Sequence, residues 1–249
     1  MKLLIINPNT SEFVTEKVRA CAEAAAGPGV EVRAVTGRRG APIVGTRSEC
    51  AIAAVEAIEL AAEHGAEVDG ILLGISFDTG LDAIRELVSI PVVGMSEAGM
   101  LAACALARRF TMVTFGNRAV PLYDELVEHY KLDGRSAGTI SLPPLSAEEL
   151  QNPLLIADRL VAEIEKAARE KGAESVVLAG AIFAGLAPVL KDRVSIPIID
   201  GIVAGVGQLR MLHSLNVGKP KLGGYCYPPR KDLTGVSDSL TALFRSLPA

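Results

Sequence analysis

Short apolar runs alternate along this chain with longer stretches in which apolar residues recur at helical spacing. The short runs are rich in Val, Ile and Leu, as the strands of buried parallel sheets are. They predict strands at Lys2–Asn7, Val30–Val35, Gly70–Ile75, Val92–Gly94, Phe110–Phe115, Ser175–Ala179 and Ile198–Asp200. The alternation is typical of βαβ units, so the predicted fold class is α/β with mostly parallel sheets flanked by helices.

The longer stretches between these runs predict helices. Their expected bounds are Glu12–Ala26, Glu49–His64, Gly80–Leu87, Met100–Arg108, Pro121–Tyr130, Pro153–Glu170, Ala187–Asp192 and Val203–Ser214. The segment 217–229 is rich in Gly, Pro and Lys, which predicts a surface segment before a short last helix at Ser237–Ser246.

The second half of the sequence repeats landmarks of the first. The Gly-Leu pairs at 80–81 and 185–186 lie 105 residues apart, and the Ser-Ile-Pro triplets at 89–91 and 195–197 lie 106 residues apart. Landmarks repeated in the same order indicate a duplication. It predicts two pseudosymmetric α/β halves, 1–107 and 108–216, followed by a C-terminal tail, 217–249, that we expect to pack back on the first half.

The ends of four predicted strands indicate where a ligand would bind. In open α/β sheets ligands lie outside the carboxyl ends of the strands, where loops and helix N-termini gather. Two facing halves would bring together the segments 7–10, 74–80, 114–118 and 179–185. The sequence therefore predicts a site in the cleft between the halves.

Composition and charge narrow the classes of partner. Hydrophobic residues make up 49% of the chain, aromatic residues only 4%, and the net charge is −4 without any Trp, which disfavours a nucleic-acid partner. No stretch approaches about 18 uninterrupted apolar residues, and the apolar start is too short for a signal segment. We therefore expect a cytoplasmic protein without a membrane partner. The four cysteines and three histidines lack metal-ligand spacing, so no metal is predicted.

Several motifs together resemble one enzyme family. The segments 7–10, 77–83, 94–98, 109–114 and 198–201 resemble, in order and spacing, the hydantoin and allantoin racemase branch of the aspartate/glutamate racemase superfamily. The resemblance implies a cofactor-free enzyme that acts on a small carboxylate, hydantoin or related ureide through an enolate or oxyanion. It implies two cysteines, one that removes the α-proton and one that delivers a proton from the opposite face. Homo-oligomers are common for this architecture.

Neither position of those cysteines holds a cysteine in this chain. Counting back without a gap from the two Gly-Leu pairs places Ile75 and Gly180 there, and the 105-residue offset supports this register. A slip of one residue would instead select Ser76 and Ala181. Because none of these side chains is a thiol, we expect no two-cysteine racemisation. A hydrolase or lyase and a non-catalytic binding protein derived from the family remain alternatives.

Three residues are the catalytic candidates. Ser76 would act as a nucleophile or oxyanion donor, Asp78 would accept a proton or orient water, and Glu97 would act as a base. Each carboxylate also has a structural interpretation. Asp78 fits a cap of the helix that is predicted to begin at Gly80, and Glu97 fits a cap or a structural hydrogen bond.

The candidate substrate-binding residues lie at strand ends or in the tail. They are Asn9, Thr10, Ile75, Thr79, Thr114, Asn117, Gly180, Ala181 and Tyr225. Asn9 and Thr10 precede a helix, whose N-terminus favours an anionic group, although capping alone would also explain them. Cys226 would supply a thiol if the tail crossed the cleft, but a loop cysteine with no nearby cation is more often a bystander.

Overall fold

The computed structural model describes residues 1–216 and 218–248, which contain two four-stranded parallel sheets. The first sheet has the order β2-β1-β3-β4 and the second has the order β6-β5-β7-β8. The strands are β1 (Lys2–Asn7), β2 (Glu31–Thr36), β3 (Gly70–Leu73), β4 (Val92–Gly94), β5 (Phe110–Phe115), β6 (Ser136–Leu142), β7 (Ser175–Leu178) and β8 (Ile198–Asp200). The same strand order in both sheets confirms the predicted α/β fold with two pseudosymmetric halves.

Ten α-helices connect and flank these strands in the described residues. They are α1 (Glu12–Ala26), α2 (Arg47–His64), α3 (Leu81–Leu87), α4 (Met95–Leu106), α5 (Val120–His129), α6 (Ala147–Gln151), α7 (Ala157–Lys171), α8 (Ala187–Leu190), α9 (Gly201–Leu215) and α10 (Asp238–Ser246). The helix predicted over Pro153–Glu170 begins as a 3-10 turn and becomes α-helical at Ala157. None of the described helices is long and apolar enough to cross a membrane.

Three elements differ most from the sequence prediction, and one of them, the short helix α6, was not predicted. Helix α4 begins at Met95, directly after β4, whereas the predicted helix begins at Met100. Strand β6 was not predicted, because it lies at the edge of its sheet and has mostly half-buried residues in place of an apolar run. Gly138 also interrupts it at a φ of +87°, where the pairing register with β5 shifts.

The last helix of each half packs on the sheet of the other half. Helix α4 contacts β7, and a Cβ atom on Gly99 would lie only 2.8 Å from Val177 Cγ1. Helix α9 contacts β3, and a Cβ atom on Gly205 would overlap with Leu72 Cδ1. Glycine permits these close approaches because it has no side chain. The boundary between residues 107 and 108 therefore separates the sheets but not the helical layers, and the halves share one core.

The described part of the tail lies against the first half. Helix α10 packs on α2, with Leu240 and Leu247 in a small cluster with Leu87. The Ser237 hydroxyl caps α10 and also donates a hydrogen bond to the buried Glu59 carboxylate. These contacts hold the end of the chain on the face of α2.

Candidate functional site

A small cavity lies where the strand-end loops of the two halves meet. Its volume is about 80 Å³. The lining residues are Asn9, Val14, Ile43, Val44, Gly45, Ile75, Ser76, Phe77, Thr114, Phe115, Ala119, Tyr123, Gly180, Ala181 and Ile182. They come from the ends of β1, β3, β5 and β7, from α1 and α5, and from the loop before α2. Among these described residues none is charged, so the cavity offers hydroxyl, amide and apolar groups.

Ser76 joins the two halves at this cavity. The backbone N–H of Ala181 donates a hydrogen bond to Ser76 Oγ over 3.0 Å. On the other side, Ser96 Oγ donates to the carbonyl oxygen of Ser76 over 2.5 Å. The loop after β3 and the loop after β7 are therefore fixed against each other by a buried polar contact.

Tyr123 is a polar group of the cavity that sequence reasoning did not find. Its hydroxyl donates to the carbonyl oxygen of Ala179 over 3.1 Å, and the hydroxyls of Ser76 and Thr114 lie close to it. Burial raises the pKa of Tyr123 above its usual value, and these two hydroxyls only partly oppose the effect. Tyr123 is thus a neutral phenol, and its position inside an amphipathic helix gave no signal of a site.

The neighbours of Asn9 fix the orientation of its side-chain amide. Asn9 Oδ1 accepts hydrogen bonds from Asn7 Nδ2, at 2.8 Å, and from the backbone N–H of Ser11, at 2.9 Å. Both neighbours are donors, so this atom must be the oxygen. No acceptor for Asn9 Nδ2 occurs in residues 1–216 and 218–248, which leaves this group free to donate to a ligand.

Asp78 lies behind the cavity wall and caps a helix. Its carboxylate accepts from the backbone N–H groups of Ser96, at 3.1 Å, and Glu97, at 2.8 Å, and from the Tyr130 hydroxyl, at 2.9 Å. The sequence suggested that Asp78 caps the helix after Gly80, but that was wrong, because it caps α4. Burial raises the pKa of Asp78 to about 7, although the N–H donors favour the charged form.

Glu97 and Tyr225 belong to a different cluster. Glu97 pairs through both carboxylate oxygens with the Arg85 guanidinium, at 2.5 and 3.1 Å. The ring of Tyr225 lies 5.7 Å from Arg85 Cζ, and its hydroxyl donates to Asp82 over 2.6 Å. Neither Glu97 nor Tyr225 lines the cavity, and the paired Glu97 is not free to act there as a base.

The other candidates divide in the same way. Asn9, Ile75, Ser76, Thr114, Gly180 and Ala181 line the cavity. Thr10 does not line it, and its backbone N–H donates to Ala41. Asn117 starts a short 3-10 turn beside a separate groove, and Thr79 lines a groove between α2 and α5.

The four cysteines lie outside the lining of this cavity. Cys21 is buried, with its thiol 3.5 Å from Asp200 Oδ2, and burial is the main reason that its pKa rises to about 12. Burial likewise raises the pKa of Cys50, on α2, to about 11. Cys104 lies on α4, and Cys226 lies beside Tyr225 in the tail. None of the four thiols therefore lines the cavity, where Ile75 and Gly180 lie.

Two parallel sheets of the same strand order, with an uncharged cavity where their strand-end loops meet, define a pseudosymmetric two-half α/β protein. The chain belongs to the Asp/Glu/Hydantoin racemase family, whose model it matches over residues 3–209. This confirms the resemblance that the motifs indicated.

Similar proteins include named racemases over nearly the whole length. The hydantoin racemase of Pseudomonas sp. (strain NS671) is 30% identical, with 96% of each chain covered. The structure of allantoin racemase from Klebsiella pneumoniae is 33% identical with a TM-score of 0.89, covering 97% of this chain and 99% of that one. Allantoin racemase from Pseudomonas fluorescens is 28% identical with a TM-score of 0.90, covering 94% and 100%. These relatives support an isomerase of the racemase type.

Proposed function

We propose that this chain is a cofactor-independent enzyme that binds a neutral cyclic ureide of the hydantoin type and promotes exchange of the proton on its ring carbon. The uncharged lining of the cavity carries this proposal. A free amino acid has a carboxylate and an ammonium group, and burying either without a partner costs several kcal/mol. A neutral ureide avoids that cost, and the similarity to hydantoin and allantoin racemases supports the same class of ligand.

The polar groups of the cavity suit an enolate. Removing a proton beside a carbonyl group moves negative charge onto the carbonyl oxygen. Asn9 Nδ2 is a free donor, and the hydroxyls of Ser76, Thr114 and Tyr123 lie together in the lining. In other enzymes, loss of one such donor costs about 3–4 kcal/mol of transition-state stabilisation. Stabilisation of the oxyanion is therefore the main catalytic contribution in this proposal.

The proton is carried by water rather than by a side chain. Ile75 and Gly180 cannot take up or release a proton, and the polar side chains of the lining are one amide, two hydroxyls and a phenol with a raised pKa. Water that enters with the ligand takes the proton from one face and returns a proton to either face. The covalent skeleton of the ligand is unchanged, so the product is its mirror image or the exchanged substrate.

Ligand entry requires the loop before α2 to move. The cavity of about 80 Å³ is roughly half the ~150 Å³ of a protein cavity known to hold benzene. Ile43, Val44 and Gly45 form one wall, and they belong to the loop 37–46. Displacement of this loop gives a ring-sized ligand the space that it needs.

A second candidate function is ligand binding without turnover. It is favoured by the same lining, since efficient proton transfer usually needs a group whose pKa lies near the working pH. Both functions predict that a neutral ureide binds, and they differ only in whether its ring proton exchanges.

The test uses unsubstituted hydantoin and free aspartate in D2O. Calorimetry measures binding, and proton NMR follows loss of the signal from the ring CH2 group of hydantoin. We expect hydantoin to bind and exchange faster than in buffer, while aspartate does neither, and Asn9→Leu should slow the exchange about 100-fold or more. Binding without faster exchange would establish the second function. If aspartate binds and hydantoin does not, the proposal is wrong.

A further inference from the structure

Strand β6 forms an open edge of the second sheet. In the described residues it pairs only with β5, and a groove of about 440 Å³ is lined by its residues 139–141 together with residues of α5 and α7. These helices lie on opposite faces of the sheet, because Val113 packs in a cluster with α7 and the next residue back, Met112, packs in a cluster with α5. The groove therefore follows the free edge of β6.

The sequence of β6 leaves this edge open to another strand. Charged side chains on an edge strand discourage pairing with a second chain. Strand β2, the equivalent edge of the first sheet, carries the exposed Glu31 and Arg33, whereas β6 has no charged residue from Ser136 to Leu142. The register shift at Gly138 is followed by regular pairing with β5 over residues 139–142. This short uncharged stretch is available to a partner strand.

The charges of α7 provide an independent indication of a partner. Helix α7 has eight charged side chains. The four that form ion pairs within the chain are Asp158, Arg159, Glu165 and Arg169. The four that line the groove are Glu163, Lys166, Glu170 and Lys171. No ion pair of these four occurs in residues 1–216 and 218–248, so the groove presents both signs of charge without partners.

The arrangement of these four charges is self-complementary. The lining residues of β6 are centred on Ile140, and those of α7 are centred on Ala167. A two-fold axis through this centre would place a second α7 antiparallel to the first, because such an axis presents the same surface of both copies. Glu163 would then lie opposite Lys171 of the second copy. Lys166 would lie within one helical turn of the second copy's Glu170.

We propose that the groove binds a second copy of this chain, with β6 paired antiparallel to β6 of that copy across a two-fold axis. The two second-half sheets become one sheet of eight strands. Helix α7 contacts β5 as well as β6, so it lies inward of the edge, and the two copies of α7 pack roughly 8–10 Å apart. Each charge pair occurs twice, because the contact is symmetric.

Charge reversal tests this contact. Lys166→Glu and Glu170→Lys each change an exposed side chain of the groove, and each replaces attraction across the axis by repulsion. Arg169→Glu is the matched control, since Arg169 is exposed on the same helix, does not line the groove and pairs with Glu165 of its own helix. Sedimentation velocity over a range of concentrations gives the mass and the dissociation constant, and circular dichroism shows that each variant is folded.

We expect the natural protein and Arg169→Glu to form dimers or a larger even-numbered assembly. Each of the two groove variants alone should raise the dissociation constant of the two-fold contact roughly 30-fold or more. An equimolar mixture of these two variants should assemble again, because chains with two carboxylates then meet chains with two ammonium groups. The amides of residues 139–142 should exchange hydrogen faster in Lys166→Glu than in the natural protein.

Three results would overturn the proposal. A natural protein that remains monomeric at high concentration would leave the groove to a different molecule. Undiminished assembly of both groove variants would place the contact between chains on another surface. Failure of the mixture to assemble, after each variant alone has dissociated, would show that Lys166 and Glu170 do not face each other across a two-fold axis.

Discussion

The backbone N–H of Ala181 donates a hydrogen bond to the hydroxyl of Ser76, 3.0 Å away, across the boundary between the two halves. These residues are also 105 positions apart, which is the offset of the sequence repeat. Equivalent loops of a duplicated scaffold thus contact each other directly. The contact fixes the floor of the cavity, so its loss should affect stability and ligand binding together.

Ser76→Ala tests this contact. The variant leaves the Ala181 N–H buried without an acceptor, which should lower the free energy of unfolding by about 1–3 kcal/mol. Urea denaturation measures the change. Ser214→Ala is the control, since Ser214 is exposed on α9 and its hydroxyl donates to the carbonyl oxygen of Met211 on the same helix. Equal stability of Ser76→Ala and the natural protein would show that the contact contributes nothing.

Asp78 should make stability depend on pH. The pKa of Asp78 is raised to about 7 by burial, whereas an unperturbed Asp titrates near 3.9. Between these values the folded protein retains a proton that the unfolded chain has lost, so the free energy of unfolding falls as pH rises. The full contribution is about 4 kcal/mol.

Asp78→Asn is neutral throughout and should lack this dependence. Urea denaturation at pH 5 and pH 8 should show the natural protein losing stability relative to the variant. Asp232→Asn, at an exposed carboxylate, should follow the natural protein. If the free energies of unfolding of the natural protein and of Asp78→Asn differed by the same amount at both pH values, Asp78 would have an ordinary pKa.

Asp78 and Tyr123 show how far the sequence predicts the structure. Apolar runs predicted the central strands because a buried parallel strand must be apolar on both faces. The start of α4 was missed because its cap, Asp78, comes from a loop 18 residues before Ser96, and local signals do not report a distant cap. Tyr123 was missed for a related reason, since only tertiary packing directs this helix residue to the cavity.

The loop 37–46 should control the rate of ligand entry. The buried Glu56 carboxylate accepts hydrogen bonds from the backbone N–H of Arg38 and from Arg39 Nε, both at 2.8 Å. Glu56→Gln loses the charge and one acceptor, so the loop should open more often. We expect faster hydrogen exchange of its amides and several-fold faster hydantoin association and dissociation.

Glu63→Gln is the control for this experiment. Glu63 pairs with the Arg38 side chain at the surface, and exposed pairs of this kind contribute only about 0–1 kcal/mol. Glu63→Gln should therefore leave unchanged the hydrogen exchange of the loop amides and the rates of hydantoin association and dissociation. If Glu56→Gln exchanges its loop amides as slowly as the natural protein, Glu56 does not hold the loop closed.

Introducing two thiols tests which pair of positions, 75 and 180 or 76 and 181, corresponds to the two cysteines implied by the family resemblance. Ile75→Cys with Gly180→Cys should create a pair of acid/base groups on the cavity wall, because both residues line it. We expect the double variant to exchange the hydantoin ring protons at least tenfold faster than the natural protein, with the gain removed by iodoacetamide. Ser76→Cys with Ala181→Cys tests the slipped register at two other lining residues. We expect a smaller gain from this pair, because the count without a gap from the two Gly-Leu pairs selects positions 75 and 180.

The thiol at position 180 should also lower stability. A Cβ atom on Gly180 would lie 3.2 Å from the ring of Phe183, which is fully buried. Overpacking of this kind typically costs about 1–3 kcal/mol. Gly180→Ala therefore serves as a control that adds the Cβ atom without the thiol: it should lose similar stability and gain no exchange. Faster exchange of the hydantoin ring protons in Gly180→Ala would show that cavity shape, and not proton transfer by thiols, limits the reaction.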